Sequence, residues 1–196
     1  MGYGFGCINT AALFSKLKHK DMRESGTGNL GATYAVIVLG RDYGVLILLL
    51  DILKAYIAYK VASLIFAHNI YSGLLAGLGT MLGHNFPFYM KFKGGKGLAT
   101  FAGTVLAHNP LMFLILLLLV IVLLLIVNYS FIVPFAGSTL FAVMTTWQTK
   151  NLFVGIITSI MAILIMAKHI PNLKKAISGK DVRVRDYIKK YIFHNN

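Results

Sequence analysis

Seventeen consecutive residues, 111–127, pass without a charged or polar side chain. A helix that is apolar on every side has no face to offer water, so it belongs in lipid or at the centre of a large protein. The chain has only 196 residues, and further apolar runs follow one another along most of it. Too little polar surface is left to wrap them. Hydrophobic residues make up 57% of the chain and charged residues 13%, and a soluble domain carries about twice that charged share. The mean hydropathy is +0.73. A bilayer is the natural solvent for such a chain.

Crossing the hydrocarbon takes about 20 predominantly apolar residues, fewer where the bilayer thins or flanking side chains snorkel. Helical spans are expected at residues 35–59, 61–82, 98–107, 111–127, 131–147 and 152–167. Residues 1–15 form a seventh candidate: the first charge is Lys16, but the segment is glycine-rich and barely long enough. It is not read as a signal peptide, because no basic stretch leads it and no small-x-small site follows a clean apolar run. No Pro/Ser linker and no internal repeat interrupts the series. Residues 1–196 therefore read as a single polytopic membrane domain, all-α, with about seven transmembrane helices, the first of them short.

Lysine and arginine set the orientation. With seven spans, one side of the membrane receives residues 16–41, 89–97, 128–130 and the tail from Lys168 onward. These hold sixteen of the nineteen basic residues, all but Lys54, Lys60 and Lys150. That side is the cytoplasmic one, which puts the N-terminus outside and the C-terminus inside; an even number of spans breaks the segregation. Topology and anionic headgroups then account for the net charge of +13 without a nucleic-acid partner. The single cysteine, Cys7, supplies neither a disulfide framework nor a thiolate metal site.

Three polar islands fall on that cytoplasmic side. The first, DMRESGTGNLGAT, begins at Asp21 and contains Gly26, Gly28 and Gly31 at the spacing of a dinucleotide fingerprint. No strand precedes it, so the Rossmann reading fails. What survives is a glycine-bearing loop that feeds a helix N-terminus, suited either to an anion or to a tight turn. The second, GHNFPFYMKFKGGKGLAT, begins at Gly83. Its Gly94, Gly95, Lys96 and Gly97 stand just before a helix, so freed amides, helix dipole and ammonium can converge on one phosphate. It is not a Walker loop, because Gly97 follows Lys96 where the magnesium-binding hydroxyl belongs. Lys91 and Lys93 are explained by topology alone, and His84 and Asn85 by capping of the preceding helix. The third, KHIPNLKKAISGKD, begins at Lys168. His169 and Asn172 share a face if Pro171 leaves the helix intact. Asp51 and Lys54 stand three apart inside a span, where ionisable groups either pair or serve a site.

GTGNLGAT, GHNFPFYMKFKGGKGLAT and HIPNLKKAISGKD, in that order and with CINTA at residues 7–11 and LLLDILK at residues 48–54, resemble the signature regions of the bacterial acyl-phosphate-dependent glycerol-3-phosphate acyltransferases. The likeness covers nearly the whole chain. It implies a seven-helix protein of the bacterial plasma (inner) membrane with its N-terminus outside and its active site on the cytoplasmic side. It implies acyl transfer from acyl phosphate to the 1-hydroxyl of sn-glycerol 3-phosphate, giving lysophosphatidic acid and phosphate, the first acylation of phospholipid synthesis. No metal or nucleotide cofactor is implied; an acyl-phosphate-producing phosphate acyltransferase is the implied partner. By motif position, Thr27, Lys96, His169 and Asn172 take the catalytic places. Gly28, Asn29, Gly31, Thr33, Gly94, Gly95 and Gly97 take the phosphate-binding ones.

The chain also departs from that pattern. Tyr34 and Ile37 stand where the family carries an Asn and an Arg, and Arg41, one turn beyond Ile37, is the candidate substitute cation. A lost guanidinium removes a bidentate phosphate clamp that lysine does not reproduce. Lys175, Asp181 and Ala55 replace a usual Arg, Glu and Gly. Two alternatives follow: a divergent paralogue with another acceptor or a non-catalytic role, and a small anion transporter. The later spans carry almost no charge, which argues against a conducting path.

Overall fold

The structure is a computed structural model that describes residues 1–20, 22, 31–67, 69, 71–181 and 183–189. All regular structure among the described residues is helical. They gather in two compact units, Met1–His108 and Asn109–Asn196.

In the first unit the glycine-rich opening forms two short helices, α1 (Gly2–Cys7) and α2 (Thr10–Leu17), rather than one. The break falls at Ile8 and Asn9, where the Asn9 side chain caps α2 by accepting from the Ala12 amide at 2.8 Å. The expected span at 35–59 is likewise divided. Gly40, at φ +96°, separates α3 (Ala32–Leu39) from α4 (Arg41–Ile65), and α3 turns back so closely that a Cβ on Gly44 would strike Val36. A side chain rarely tolerates that φ, so glycine sets the boundary. The expected span at 61–82 is corrected too: α4 runs on to Ile65, and α5 covers Ser72–Asn85. Between them the Asn69 carboxamide accepts from the Tyr71 amide at 2.9 Å, an Asx turn that lets the chain reverse without proline or glycine. A 3-10 turn (Phe88–Met90) leads to α6 (Leu98–His108).

Small residues bring these helices together. A Cβ on Gly2 would strike the Ala76 carbonyl, one on Gly6 the Thr80 carbonyl, and one on Gly83 the Tyr3 carbonyl. This is a small-xxx-small seam between α1 and α5. Contacts rise together along both helices, so α1 and α5 run in the same direction. So do α4 and α6, where Ile52 meets Gly103 and the Tyr59 hydroxyl lies 3.0 Å from His108 Nδ1. Gly73 against Tyr59 and Ser63, with His84 against Lys54, shows α5 antiparallel to α4.

The second unit is built from α7 (Pro110–Val127), α8 (Ile132–Thr149), α9 (Leu152–Ile177) and the short α10 (Val184–Ile188). Asn109 and Asn151 cap α7 and α9 with their side chains. Antiparallel packing follows from Met112 against Thr145 and Val120 against Gly137 for α7 and α8, and from Thr146 against Gly155 for α8 and α9. Only 17% of α7 is buried although its mean hydropathy is 3.5; the Leu and Ile side chains it exposes are a lipid-facing surface. Helices α7 and α9 are each long and apolar enough to cross a membrane.

Candidate active site

The second island folds around the end of α5. His84 and Asn85 close that helix, and both are buried, 3% and 0% exposed. After the 3-10 turn the chain returns to them: the Gly94 amide donates to the Asn85 carbonyl at 3.1 Å and the Gly95 amide to the His84 carbonyl at 3.0 Å. The glycines are what permits this approach. A Cβ on Gly94 would meet the His84 carbonyl, one on Gly95 would meet His84 Nε2, and one on Gly97 would stand 2.7 Å from Asn85 Oδ1. Gly97 also adopts φ +83°. The Gly94 and Gly95 amides are thus committed to the α5 carbonyls, so the expectation that glycine frees them for phosphate is replaced by another arrangement. The donors the loop presents are the first-turn amides of α6, beside the half-buried Lys96. Lys91 and Lys93 are exposed, in keeping with a topological role.

Behind the loop lies a polar core. Lys54 Nζ stands 2.7 Å from Asp51 Oδ1, 2.7 Å from the Ile8 carbonyl and 3.1 Å from His84 Nδ1. Thr10 Oγ1 donates to Asp51 Oδ1 at 2.9 Å. The i,i+3 pair is therefore real, and it joins CINTA to LLLDILK: Asp51 holds the start of α2, and Lys54 serves a carbonyl that the α1–α2 break leaves open.

For the first island, Thr27, Gly28 and Asn29 lie outside the described residues. Gly31 is the N-cap of α3, its carbonyl accepting from the Tyr34 and Ala35 amides, both at 3.0 Å, and Thr33 is exposed in the first helical turn. A helix N-terminus does follow the glycine loop, as expected. Ile37 is exposed on α3, and Arg41 opens α4 with its guanidinium 3.4 Å from Asp42.

The third island is one helix, not a tail after the span: α9 continues ten residues past the expected end at 167 and carries Pro171 inside it. His169 and Asn172 consequently share a face. His169 is 5% exposed, and its Nδ1 lies 2.8 Å from the Ile165 carbonyl. A carbonyl only accepts, so Nδ1 carries a proton and donates it to Ile165. The helix ends in a Schellman motif: Gly179, at φ +68°, donates to the Ala176 carbonyl at 3.1 Å, and the Lys180 amide to the Lys175 carbonyl at 2.9 Å. Gly179 of the third signature is a helix stop.

A family model described as glycerol-3-phosphate acyltransferase matches residues 1–179. The chain belongs to the glycerol-3-phosphate acyltransferase family. A glycerol-3-phosphate acyltransferase from Thermoanaerobacter sp. (strain X514) is 32% identical over 187 residues, covering 94% of this chain and 92% of the relative. One from Aquifex aeolicus (strain VF5) is 33% identical over 185 residues, with 92% and 94% covered. Among solved structures, PlsY (YgiH), an integral membrane glycerol 3-phosphate acyltransferase, matches in its glycerol 3-phosphate form with a TM-score of 0.86 at 31% identity, over 93% of this chain and 91% of that one. Its lysophosphatidic acid form matches with a TM-score of 0.85 at 29% identity, over 96% and 95%. This chain is accordingly an acyltransferase and a helical membrane protein.

Sequence reasoning about this acyltransferase undervalued His84. Taken as a helix cap, it is instead the residue on which the glycine loop rests and to which the buried Lys54 points. The available signal was its place eleven residues before Gly95, with only Pro87 between them to break a helix.

Proposed function

We infer that this acyltransferase uses acyl phosphate as its donor and the 1-hydroxyl of sn-glycerol 3-phosphate as its acceptor. The hydroxyl oxygen forms the new ester bond to the acyl carbon, the bond from that carbon to the phosphate oxygen breaks, and lysophosphatidic acid and phosphate leave. The donor is already activated, so the protein supplies position and positive charge rather than a nucleophile. The departing phosphate takes up the hydroxyl proton.

The observation that carries this reading is the loop from Gly94 to Gly97, folded onto α5 so that Lys96 stands two residues ahead of the α6 N-terminus. Both substrates bear phosphate, and a cation beside a helix N-terminus is an anion holder. Gly31 and Thr33 at the start of α3, with Thr27, Gly28 and Asn29 of the same signature, are assigned as a second one. His169, held through Nδ1 by the Ile165 carbonyl, and Asn172 on the same face are assigned to orient the acceptor or its phosphate. Arg41 pairs only with the exposed Asp42, a contact too weak to withhold it from an anion, so it stays the candidate substitute cation beside Lys96.

Seven crossings, an external N-terminus and a cytoplasmic active site in a bacterial plasma membrane complete the proposal. The parallel course of α1 with α5 and of α4 with α6 supports this alternation, as does the charge segregation. Acyl phosphate then arrives from the enzyme that makes it, a phosphate acyltransferase. A second reading, another phosphorylated acceptor, is favoured by one observation: Tyr34 and Ile37 stand in place of the family's Asn and Arg. One assay separates the two. Purified protein in lipid receives acyl phosphate and glycerol 3-phosphate, and phosphate and lysophosphatidic acid are followed. Wild-type turnover that Lys96→Ala abolishes, with insertion and melting temperature unchanged, is the expected result. A folded wild type that makes no product refutes it and turns the search to other acceptors.

A further inference from the structure

The buried chain Asp51, Lys54, His84 leads from the α1–α2 break to the underside of the glycine loop. Its hydrogen bonding determines one thing about the loop. The Lys54 ammonium carries only protons to give, and its acceptors are Asp51 Oδ1 at 2.7 Å, the Ile8 carbonyl at 2.7 Å, His84 Nδ1 at 3.1 Å and, at the longest reach, the Gly6 carbonyl at 3.5 Å. Nδ1 must then be the acceptor, which places the imidazole proton on Nε2. That Nε2 edge is the one against Gly95: a Cβ there would meet Nε2 first, then Cε1 and Cδ2. The same residue's carbonyl takes the Gly95 amide at 3.0 Å. His84 thus grips Gly95 from both ends, by its main chain and by a ring whose orientation Lys54 sets. Lys96 is the next residue.

The geometry points to His84 as a positioning residue for acyl transfer: fixed in its Nε2–H form by Lys54, itself neutralised by Asp51, it sets the Gly95 peptide and so the place of the Lys96 ammonium. This rests on the reading of the loop as a phosphate holder. It gives a buried ion pair inside a membrane protein a role at the reaction centre beyond joining helices.

Removing Lys54 alone leaves a buried, uncompensated Asp51, which threatens folding. The test therefore uses the neutral double variant Asp51→Asn with Lys54→Met, and separately His84→Asn, whose carboxamide oxygen still accepts from Lys54 but which has no edge to set against Gly95. Three quantities are read: melting temperature in detergent, KM for each phosphorylated substrate, and the 15N shifts of the His84 ring, assigned by comparison with His84→Asn. Expected are an Nε2–H signature in the wild type, a tautomer mixture in the double variant, and cooperative melting in both variants, lowered in the double variant by the Ile8 carbonyl that loses its donor. The KM for one of the two substrates should rise about tenfold, the size of one lost charge-assisted hydrogen bond, while the other stays unchanged. Unaltered KM values, or an unaltered tautomer in the double variant, overturn the inference while wild-type turnover leaves the function standing. An inactive wild type overturns the function instead, and the ring shifts still decide the role of Lys54.

Discussion

Two histidines in this acyltransferase are tied down through Nδ1 by opposite kinds of neighbour. His84 Nδ1 accepts from Lys54, and His169 Nδ1 donates to the Ile165 carbonyl. One ring braces a loop, and the other is assigned to substrate. His169→Asn separates the two halves of that second ring, because the carboxamide nitrogen can still donate to Ile165 while nothing remains at the place of Nε2. The melting temperature should hold, and kcat should fall about a hundredfold, the effect of losing alignment of one reacting group. Single-turnover kinetics with saturating substrates measures it. A kcat within a factor of about three of the wild type, far short of a lost hydrogen bond to the acceptor, removes His169 from the reaction.

At the scale of elements, the long apolar runs were legible and the joints between them were not. Expected spans at 111–127 and 131–147 match α7 and α8 to within two residues at every end, because nothing but hydrophobicity determines a lipid-facing helix. The joints obey local chemistry that a hydropathy reading passes over. Asn9 and Asn69 make side-chain turns, Gly40 adopts a left-handed φ, and Gly179 rather than Pro171 ends α9. In the second signature the glycines were noticed for an anion, and they also make room for the end of α5. Their backbone room is taken up by His84 and Asn85, a tertiary contact that no spacing within the loop reveals. The α1–α5 seam was equally readable, as Gly2 and Gly6 opposite Gly79 and Gly83, and it yields a controlled prediction. Gly6→Ala drives a Cβ into the Thr80 carbonyl, whereas Gly4 has open space around it. Overpacking of this kind costs about 1–3 kcal/mol, so Gly6→Ala should melt measurably lower in detergent and Gly4→Ala at the wild-type temperature. Equal melting of the two would dissolve the seam.

For the whole molecule, orientation is the property on which the site's chemistry depends, since both substrates are charged and must reach Lys96 from the side where they are made. Charge and packing bear on it independently. Sixteen of nineteen basic residues fall on one side of a seven-span arrangement, and each lysine left on the wrong side of a membrane resists the inside-positive bias. The direction of α1 tests the same count, because a helix parallel to α5 must cross in the same sense. Lys150 is the informative exception: it sits at the α8–α9 turn with its ammonium 3.6 Å from the Trp147 ring centre, and Trp147 is 74% exposed. A tryptophan and a lysine together at a helix end mark a headgroup layer, the outer one on the proposed orientation. Single cysteines placed at Lys91, Lys180 and Lys150 in a Cys7→Ala background report the answer through a membrane-impermeant maleimide. Intact spheroplasts should label only Lys150→Cys, and inverted vesicles only Lys91→Cys and Lys180→Cys. Labelling of Lys91→Cys from outside reverses the protein in the membrane and puts its active site beyond the reach of cytoplasmic acyl phosphate. Labelling of Lys91→Cys and Lys180→Cys from opposite sides instead means that an odd number of crossings separates the loop from the tail, and the seven-span count falls.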